Sequence, residues 1–336
     1  MKITISASIF IAMIITLFNY AAFASIDKMN IISLSKLACA EEFEGVTERK
    51  TASSTASVRE DLSLGSTYKL PAEVEFRKRY IVTSITPLAA IIAMLVKDQA
   101  EIVAIANNDD CPHHYNLKPS DLKKVKDADI VFYIDEQFDG FAGKLMNGHS
   151  KNVIKISNFT GLKIISNDSY SNWHIWLDLD NVKVVLEQLS KILAGRFPEI
   201  SSDIYQNLDK AKKQIERLTK IKNEKLGPLT DVILLSDSLE YFFDNSRKFE
   251  RISVAKLYNS DQKSLKYISN LEHLLAMSNS KCLLLSLDQD VRIYKNFKAE
   301  IVEVESENWR ITDINDDLYY NQYLKIINQV AKCLNY

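Results

Sequence analysis

The chain has 336 residues, 46% of them hydrophobic, which is enough for two α/β units that each bury a sizeable core. Its 42 basic and 44 acidic residues are interspersed and leave a net charge of -2, so nothing indicates a nucleic-acid-binding surface. After one apolar stretch at the N-terminus, no second segment is long and apolar enough to predict a membrane span.

The N-terminus has the three parts of a secretory signal peptide. Lys2 precedes an apolar stretch at residues 3–20, and Ala22-Phe23-Ala24 forms a small-x-small cleavage site. We therefore predict that residues 1–24 are a signal peptide and that the protein is periplasmic. A retained membrane anchor is the alternative, because the apolar stretch approaches the roughly 20 residues that span a bilayer.

Residues 25–79 form a polar N-terminal extension to which the sequence assigns no function. Residues 41–59 are charged and then rich in Ser, Thr and Ala, with few large apolar side chains. Such a composition is typical of a partly flexible linker.

From residue 80 onward, predicted strands alternate with predicted helices. Up to residue 197 the strands are 80–85, 100–106, 130–134 and 153–156, and the helices are 87–96, 119–126, 138–146 and 182–193. The alternation resumes after residue 227, with strands at 232–235, 252–257, 282–287 and 301–304 and helices at 239–249, 264–277 and 318–333. This pattern predicts an α/β fold with parallel sheets covered by helices.

Residues 198–226 lie between the two alternating segments and have the spacing of one long helix. Apolar side chains recur at intervals of three and four residues, and Ser201 or Ser202 is a candidate cap. The recurring residues are Ile204, Leu208, Ala211, Ile215 and Leu218. From the pattern alone, this could be a bundle helix or a connection between two lobes.

Two adjacent histidines lie in the loop after the strand at 100–106. Residues 108–121 read N-D-D-C-P-H-H-Y-N-L-K-P-S-D, and Pro119 can open the helix that follows. Loops that join a strand to a helix are where α/β proteins usually bind ligands, and imidazole is the commonest metal ligand. This indicates a metal site with His113 as one ligand; a pair of solvated loop histidines is the alternative.

Two motifs resemble those of the solute-binding proteins of zinc and manganese ABC transporters. Pro-His-x-Tyr-x-Leu-x-Pro-Ser-Asp, followed by A-D-I-V-F-Y at 128–133, is similar to that family's first ligand motif, and H-I-W-L from His174 is similar to the second. The resemblance extends from about residue 81 to the C-terminus. It implies two parallel-sheet α/β lobes, residues 80–197 and 227–336, joined by one long linker helix at 198–226, with a metal cleft between the lobes.

The resemblance also implies the ligand positions. His113 and His174 occupy the first two. The family's third ligand opens the pattern His-Asp-x-x-x-Tyr-Phe, which here reads S-D-S-L-E-Y-F from Ser236. A neutral serine hydroxyl is a poor ligand for a divalent cation, because zinc sites are built from imidazole, thiolate and carboxylate groups.

The remaining ligand positions in the second lobe are also altered. Ser286 stands where the family has a glutamate, and Glu305 replaces the final aspartate. Three protein ligands with a fourth position open to water can hold zinc, so the predicted ligands are His113, His174 and Glu305. The weaker candidates are Cys111, His114, Ser236 and Asp237.

Four cysteines in an exported chain indicate disulfide bonds. Cys282 and Cys333 fall where the resemblance implies a disulfide between a strand and the last helix. Cys39 and Cys111 could pair with each other. Cys111 could instead bind the metal as a thiolate or remain an inert thiol.

The function implied is binding of a divalent metal, Zn²⁺ with Mn²⁺ as the alternative, by a monomeric protein that delivers it to an ABC transporter permease. This chemistry is ligand exchange, so the chain is not predicted to be an enzyme. An adhesion or interaction protein on the same scaffold is the alternative, favoured by Ser236 and Ser286. A zinc hydrolase is disfavoured because neither motif histidine has an acidic neighbour in the pattern of a general base.

Overall fold

A computed structural model describes residues 77–107, 115–146, 148, 152–166, 171–244, 253–257, 264–279, 281–287, 289–307 and 309–335. The predicted signal peptide, the extension as far as residue 76 and the loop at 108–114 lie outside the described residues. All described residues belong to one compact unit, Glu73–Tyr336.

The first sheet has four parallel strands, which are β1 (Arg79–Ile85), β2 (Ala100–Ala106), β3 (Ile130–Tyr133) and β4 (Val153–Lys155). Their order in the sheet is β2-β1-β3-β4. The helices between them are α1 (Thr86–Val96), α2 (Pro119–Asp127) and α3 (Gly140–Met146). We call this sheet, its helices and the chain that follows as far as residue 196 the first lobe.

The segment that follows holds a short antiparallel pair and two helices. The pair is β5 (Ile165–Ser166) with β6 (Ser171–Asn172), and the helices are α4 (Leu179–Arg196) and α5 (Ser201–Leu226). With 26 residues at about 1.5 Å each, α5 is about 39 Å long.

The predicted serine cap of α5 is wrong. Ser201 already has helical dihedral angles, and the residue before it, Ile200, makes no side-chain capping bond. A 3₁₀ turn at Pro198–Ile200 leads directly into the helix, so the serine hydroxyls are not in position to cap it.

The second sheet repeats the strand order of the first. Its parallel strands are β7 (Asp231–Leu234), β8 (Ser253–Lys256), β9 (Cys282–Ser286) and β10 (Glu300–Val304), arranged β10-β9-β7-β8. Its helices are α6 (Glu240–Asp244), α7 (Leu265–Met277) and α8 (Leu318–Val330). We call this sheet and its helices the second lobe. The predicted fold class, two parallel-sheet α/β lobes joined by one long helix, is confirmed.

Two predicted helices of the second lobe differ in extent. A 3₁₀ turn at Asp237–Leu239 precedes α6, which has five residues, and residues 245–249 of the predicted helix lie outside the described residues. The last helix was predicted to end at residue 333 but ends at Val330, and a 3₁₀ turn at Ala331–Asn335 follows it.

One apolar core extends through both lobes. Helix α5 packs against α1 and α4 on the first-lobe side and against α8 on the second-lobe side, and α8 also contacts α1. Buried residues of β1, β3, α4, α5 and α8 therefore form a single cluster, while a smaller cluster lies under α7 on the other face of the second sheet. Among the helices that the structure describes, none combines the length and hydropathy needed to cross a membrane.

The predicted disulfide between Cys282 and Cys333 is confirmed. It joins the first residue of β9 to the 3₁₀ turn after α8, with the two Cα atoms 5.5 Å apart and a sequence separation of 51. Closing a loop of this length stabilises the fold by about 4 kcal/mol in the chain-entropy model.

Candidate metal centre

The candidate site residues follow the carboxyl ends of parallel strands. Ser236 comes two residues after β7, Ser286 ends β9, and Glu305 comes directly after β10. Strands β7 and β9 are hydrogen-bonded neighbours, as are β9 and β10, so these three residues lie along the same edge of the second sheet. Ligand sites in α/β proteins form at this edge.

His174 is buried at the junction of the two lobes. It is 1% exposed and directly precedes a 3₁₀ turn at Ile175–Leu177. Its Nδ1 lies 2.7 Å from Asn172 Oδ1, and its ring meets the rings of Phe138 and Trp176 edge to face, with centroids 5.1 and 5.2 Å away. Because an amide oxygen can only accept, Nδ1 carries the proton and Nε2 is the nitrogen with the lone pair.

The turn after His174 is held by second-lobe residues. The hydroxyls of Tyr319 and Tyr323, both in α8, donate to the carbonyl oxygens of Trp176 (2.6 Å) and Leu177 (2.9 Å). The Trp176 indole Nε1 donates to the carbonyl oxygen of Ser306 at 3.0 Å. The second ligand motif is thus part of the interface between the lobes.

The end of the first motif is anchored in α2. The Tyr115 hydroxyl donates to Asp121 Oδ2 at 2.9 Å, and the same oxygen accepts the backbone N–H of Lys118. Asp121 is completely buried, and Tyr115 stacks at a tilt on Phe141 with centroids 4.8 Å apart. These contacts fix the residue that directly follows His114 in the chain.

A surface groove of about 430 Å³ lies beside this anchor. Tyr115, Leu117, Gln137, Phe138 and Lys144 are among its lining residues. Since Phe138 also packs against the His174 ring, the groove borders the candidate site on the Phe138 side.

In the second lobe, serine hydroxyls bond to one another at the candidate ligand position. Ser236 Oγ lies 2.8 Å from Ser238 Oγ, which lies 2.7 Å from Ser306 Oγ. All three residues are buried. This hydroxyl chain takes the place of the histidine that the family pattern has at position 236.

Glu305 is bound to other parts of the second lobe. It is 5% exposed; its Oε2 lies 2.5 Å from Lys325 Nζ in α8, and its Oε1 accepts the backbone N–H of Arg310 at 3.0 Å. To bind a metal, the carboxylate would have to exchange the lysine for the cation. Its role as a ligand stays a prediction.

The other predicted ligands divide into described and undescribed positions. Asp237 is half-buried, and its carbonyl oxygen accepts a hydrogen bond from Asn172. Cys111, His113 and His114 lie outside the described residues. Within the described ranges, no three His, Cys, Asp or Glu side chains come together in a group that could hold a metal ion.

Asn172 is the functional candidate that the sequence analysis missed. Its side chain contacts both His174 and the second lobe. A short polar residue two positions before the motif histidine was the available signal. Its partners in the second lobe are 65 and 68 residues away in the chain, so the sequence does not reveal them.

Comparison with known proteins identifies the family of the chain. Residues 81–335 match the family model of ZnuA, the zinc-uptake complex component A, periplasmic. The chain belongs to this family. Members of the ZnuA family are metal-binding solute-binding proteins of ABC transport and not enzymes, so the predicted family and the absence of an enzymatic role are confirmed.

Relatives of this ZnuA family chain cover most of its length. An uncharacterized protein of Rickettsia prowazekii is 48% identical over 262 residues, which are 77% of this chain and 85% of the relative. A metal ABC transporter substrate-binding lipoprotein of Lactococcus lactis is 22% identical over 81% of this chain and 93% of its own.

Solved structures show the same fold. The periplasmic zinc binding protein TroA from Treponema pallidum superposes with a TM-score of 0.65 at 15% identity, covering 76% of this chain and 99% of its own. A crystal structure of ZnuA gives a TM-score of 0.64 at 19% identity, covering 76% and 98%.

Proposed function

We propose that this ZnuA family chain binds zinc in the periplasm and delivers it, as a monomer, to the membrane permease of an ABC transporter. No covalent bond is made or broken in this role. The ion exchanges its ligands on the protein for those of the permease.

The observation that carries the proposal is the environment of His174. Metal-binding histidines commonly donate one ring N–H to an oxygen of the protein, which fixes the tautomer and directs the other nitrogen at the metal. The Nδ1–H of His174 and the Oδ1 of Asn172 make such a contact at 2.7 Å in a buried site. The aromatic rings of Phe138 and Trp176 limit the orientations open to the imidazole.

The proposed ligands are His113, His174 and Glu305, with a fourth position open to water. Cys111 is the alternative third ligand, because Lys325 is paired with Glu305. Imidazole and thiolate groups suit zinc, whereas manganese prefers carboxylate and carbonyl oxygens. With serines at positions 236 and 286, the available donors favour zinc over manganese.

A second function is an adhesion or interaction protein that retains the scaffold without tight metal binding. The chain of buried hydroxyls from Ser236 to Ser306 favours it, because these groups satisfy one another and are poor ligands. The ion pair between Glu305 and Lys325 points the same way.

Calorimetric titration of the exported protein with zinc and with manganese separates the two functions. We expect zinc to bind at neutral pH with a Kd below about 1 μM, equivalent to about 8 kcal/mol or more. The double variant His113→Ala/His174→Ala should raise the Kd at least about 100-fold, a loss of about 3 kcal/mol. His273→Ala is the matched control, since this histidine is exposed on α7 and should not affect binding.

Three results would change the proposal. Absence of binding by either metal would favour the interaction protein, and tighter binding of manganese would reverse the metal preference. Unchanged zinc affinity in the double variant would locate the site elsewhere. For a true histidine site, zinc affinity should also weaken as the pH falls, because protons compete for the imidazoles.

A further inference from the structure

Every polar atom of the Asn172 side chain has a partner on one side of the lobe junction or the other. Asn172 is 1% exposed. Its Oδ1 accepts the ring Nδ1–H of His174 at 2.7 Å and the backbone N–H of His174 at 3.1 Å. Its Nδ2 donates to the carbonyl oxygen of Asp237 at 2.8 Å and to Glu240 Oε2 at 3.1 Å.

The second-lobe partners fix the orientation of this amide. The carbonyl oxygen of Asp237 can only accept, and so can a Glu240 carboxylate that is ion-paired with Lys256. Turning the amide over would place an oxygen against these two oxygens and an NH₂ group against the backbone N–H of His174. The oxygen of Asn172 must therefore face His174.

This orientation determines which nitrogen of His174 carries the proton. An imidazole that meets an amide oxygen at 2.7 Å has to donate, so the neutral ring is the Nδ1–H tautomer. The second bond, from the His174 backbone N–H to the same oxygen, holds the main chain at the same place. The ring and backbone of His174 are thus positioned together by one side chain.

The backbone of Asn172 adds a third link to the second lobe. Tyr241 in α6 donates its hydroxyl hydrogen to the Asn172 carbonyl oxygen at 2.8 Å and accepts the backbone N–H of Ile165 at 2.9 Å. One hydroxyl of α6 therefore bonds to both strands of the short pair, β5 and β6. A displacement between the lobes at this point would act on the same residue that orients His174.

We infer that Asn172 is the positioning residue of the metal site, which sets the tautomer of His174 and couples that ligand to the position of the second lobe. This inference rests on the proposed metal-binding function. It does not require Asn172 to touch the metal, because the amide acts through the imidazole. The first lobe supplies both the ligand and Asn172, and the second lobe supplies the groups that orient Asn172.

The test measures the His174 tautomer by ¹⁵N NMR of the metal-free protein at about pH 8, where an ordinary imidazole is neutral. The His174→Ala spectrum assigns the signal. We expect the Nδ1–H form in the wild type and a shift toward the Nε2–H form in Asn172→Ala. Zinc titration of the same proteins should show the Kd of Asn172→Ala raised about 10- to 100-fold, as for other groups that orient a ligand.

Asn181→Ala is the matched control. Asn181 is also buried, at 2% exposure, and its amide bonds the backbone N–H and C=O of Lys163, with 2.7 and 2.8 Å separations. Its loss should change stability without changing the tautomer. If Asn172→Ala does not fold, Asn172→Asp is the second variant to test. It keeps an acceptor for the Nδ1–H of His174 but loses both donors to the second lobe, so it should retain the Nδ1–H tautomer.

The outcomes are distinguishable. An unchanged tautomer in Asn172→Ala, a loss of the tautomer in Asn172→Asp, or a changed tautomer with an unchanged zinc Kd would each overturn the inference. A wild-type protein that binds no zinc would overturn the proposed function instead. In that case the metal-free spectra would still decide whether Asn172 orients the ring.

Discussion

At the scale of single residues, the proposed ligands in the two lobes differ in their surroundings. His174 is oriented by an amide oxygen, in the way expected of a metal ligand. Glu305 is instead oriented by Lys325 and by the backbone N–H of Arg310, all within the second lobe. A carboxylate with two donors already in place gains less from a metal than one without partners.

We expect Glu305→Gln to lower the free energy of unfolding by about 1–3 kcal/mol, because it removes the ion pair with Lys325. The loss is no larger because Lys325 is half-exposed, which weakens the pair. Because Glu305 is a proposed ligand, the zinc Kd should also rise about tenfold or more, a loss of about 1.4 kcal/mol or more. Denaturant unfolding and zinc calorimetry on the same preparation measure both quantities. Cys111→Ser provides the comparison for the alternative third ligand. A zinc Kd that changes less than about threefold in Glu305→Gln would instead favour Cys111 as the third ligand.

At the scale of elements, helix α5 contains a lysine on its buried stripe. The apolar positions from Ile204 to Leu218 continue through position 222 to Leu226, and Lys222 is 3% exposed. Its ammonium group donates to the carbonyl oxygen of Phe242 and lies 4.2 Å from the centre of the Phe242 ring. Burial lowers the pKa of Lys222 to about 7, opposed by the charges of Asp178 and Asp180.

The free energy of unfolding should therefore rise between about pH 7 and about pH 10. In this range the unfolded chain still takes up a proton on Lys222, whose ordinary pKa is 10.5, and the folded protein does not. The difference in pKa corresponds to about 3–5 kcal/mol over the full range. In Lys222→Met this rise should be absent, as measured by denaturant unfolding at the two pH values.

Lys220→Met is the control for that experiment. Lys220 lies on the same helix, but its side chain is 75% exposed. Its ammonium nitrogen lies 3.8 Å from a carboxylate oxygen of Glu224. Its loss should leave the pH dependence as in the wild type. If the free energy of unfolding of Lys222→Met rises with pH as steeply as that of the wild type, the buried lysine is charged in the folded protein at pH 7 and above.

The long regular elements were predictable from the sequence, whereas those set by distant contacts were not. Strand β2 has the predicted bounds, because six of its seven residues are apolar and polar residues, Gln99 and Asn107, flank it. The pair of β5 and β6 has only two residues in each strand and depends on Tyr241, about 70 residues further along the chain. At the candidate site, His174 was recognisable from its motif. The role of Asn172 was not predictable, because it depends on contacts with Asp237 and Glu240, which are distant in the chain.

At the scale of the whole molecule, the lobes share a buried interface. Side chains of α1, α4, α5 and α8 form one apolar cluster, and two tyrosine hydroxyls of α8 bind backbone oxygens of the first lobe. Domains move relative to one another by default unless their interface is large and hydrophobic. The interface between these lobes is large and hydrophobic, so the lobes should move little relative to each other when metal binds.

Small-angle scattering should therefore give the same radius of gyration with and without zinc. Hydrogen exchange provides a local measurement, in which the backbone amides of Ile175–Leu177 should exchange slowly in both states. The double variant Tyr319→Phe/Tyr323→Phe removes the two hydroxyl bonds while keeping the rings, and should speed exchange at this turn. A measurable contraction of the wild type on zinc binding would show that the lobes do move.

The packing of Trp176 against His174 gives the protein an internal optical probe. The indole is 1% exposed, and its ring centre lies 5.2 Å from that of the imidazole. A positive charge that arrives on the imidazole is close enough to alter the emission of the excited indole. With three tryptophans in the chain, the Trp176→Phe difference spectrum isolates this signal, so occupancy of the proposed site should be measurable by fluorescence without any attached label.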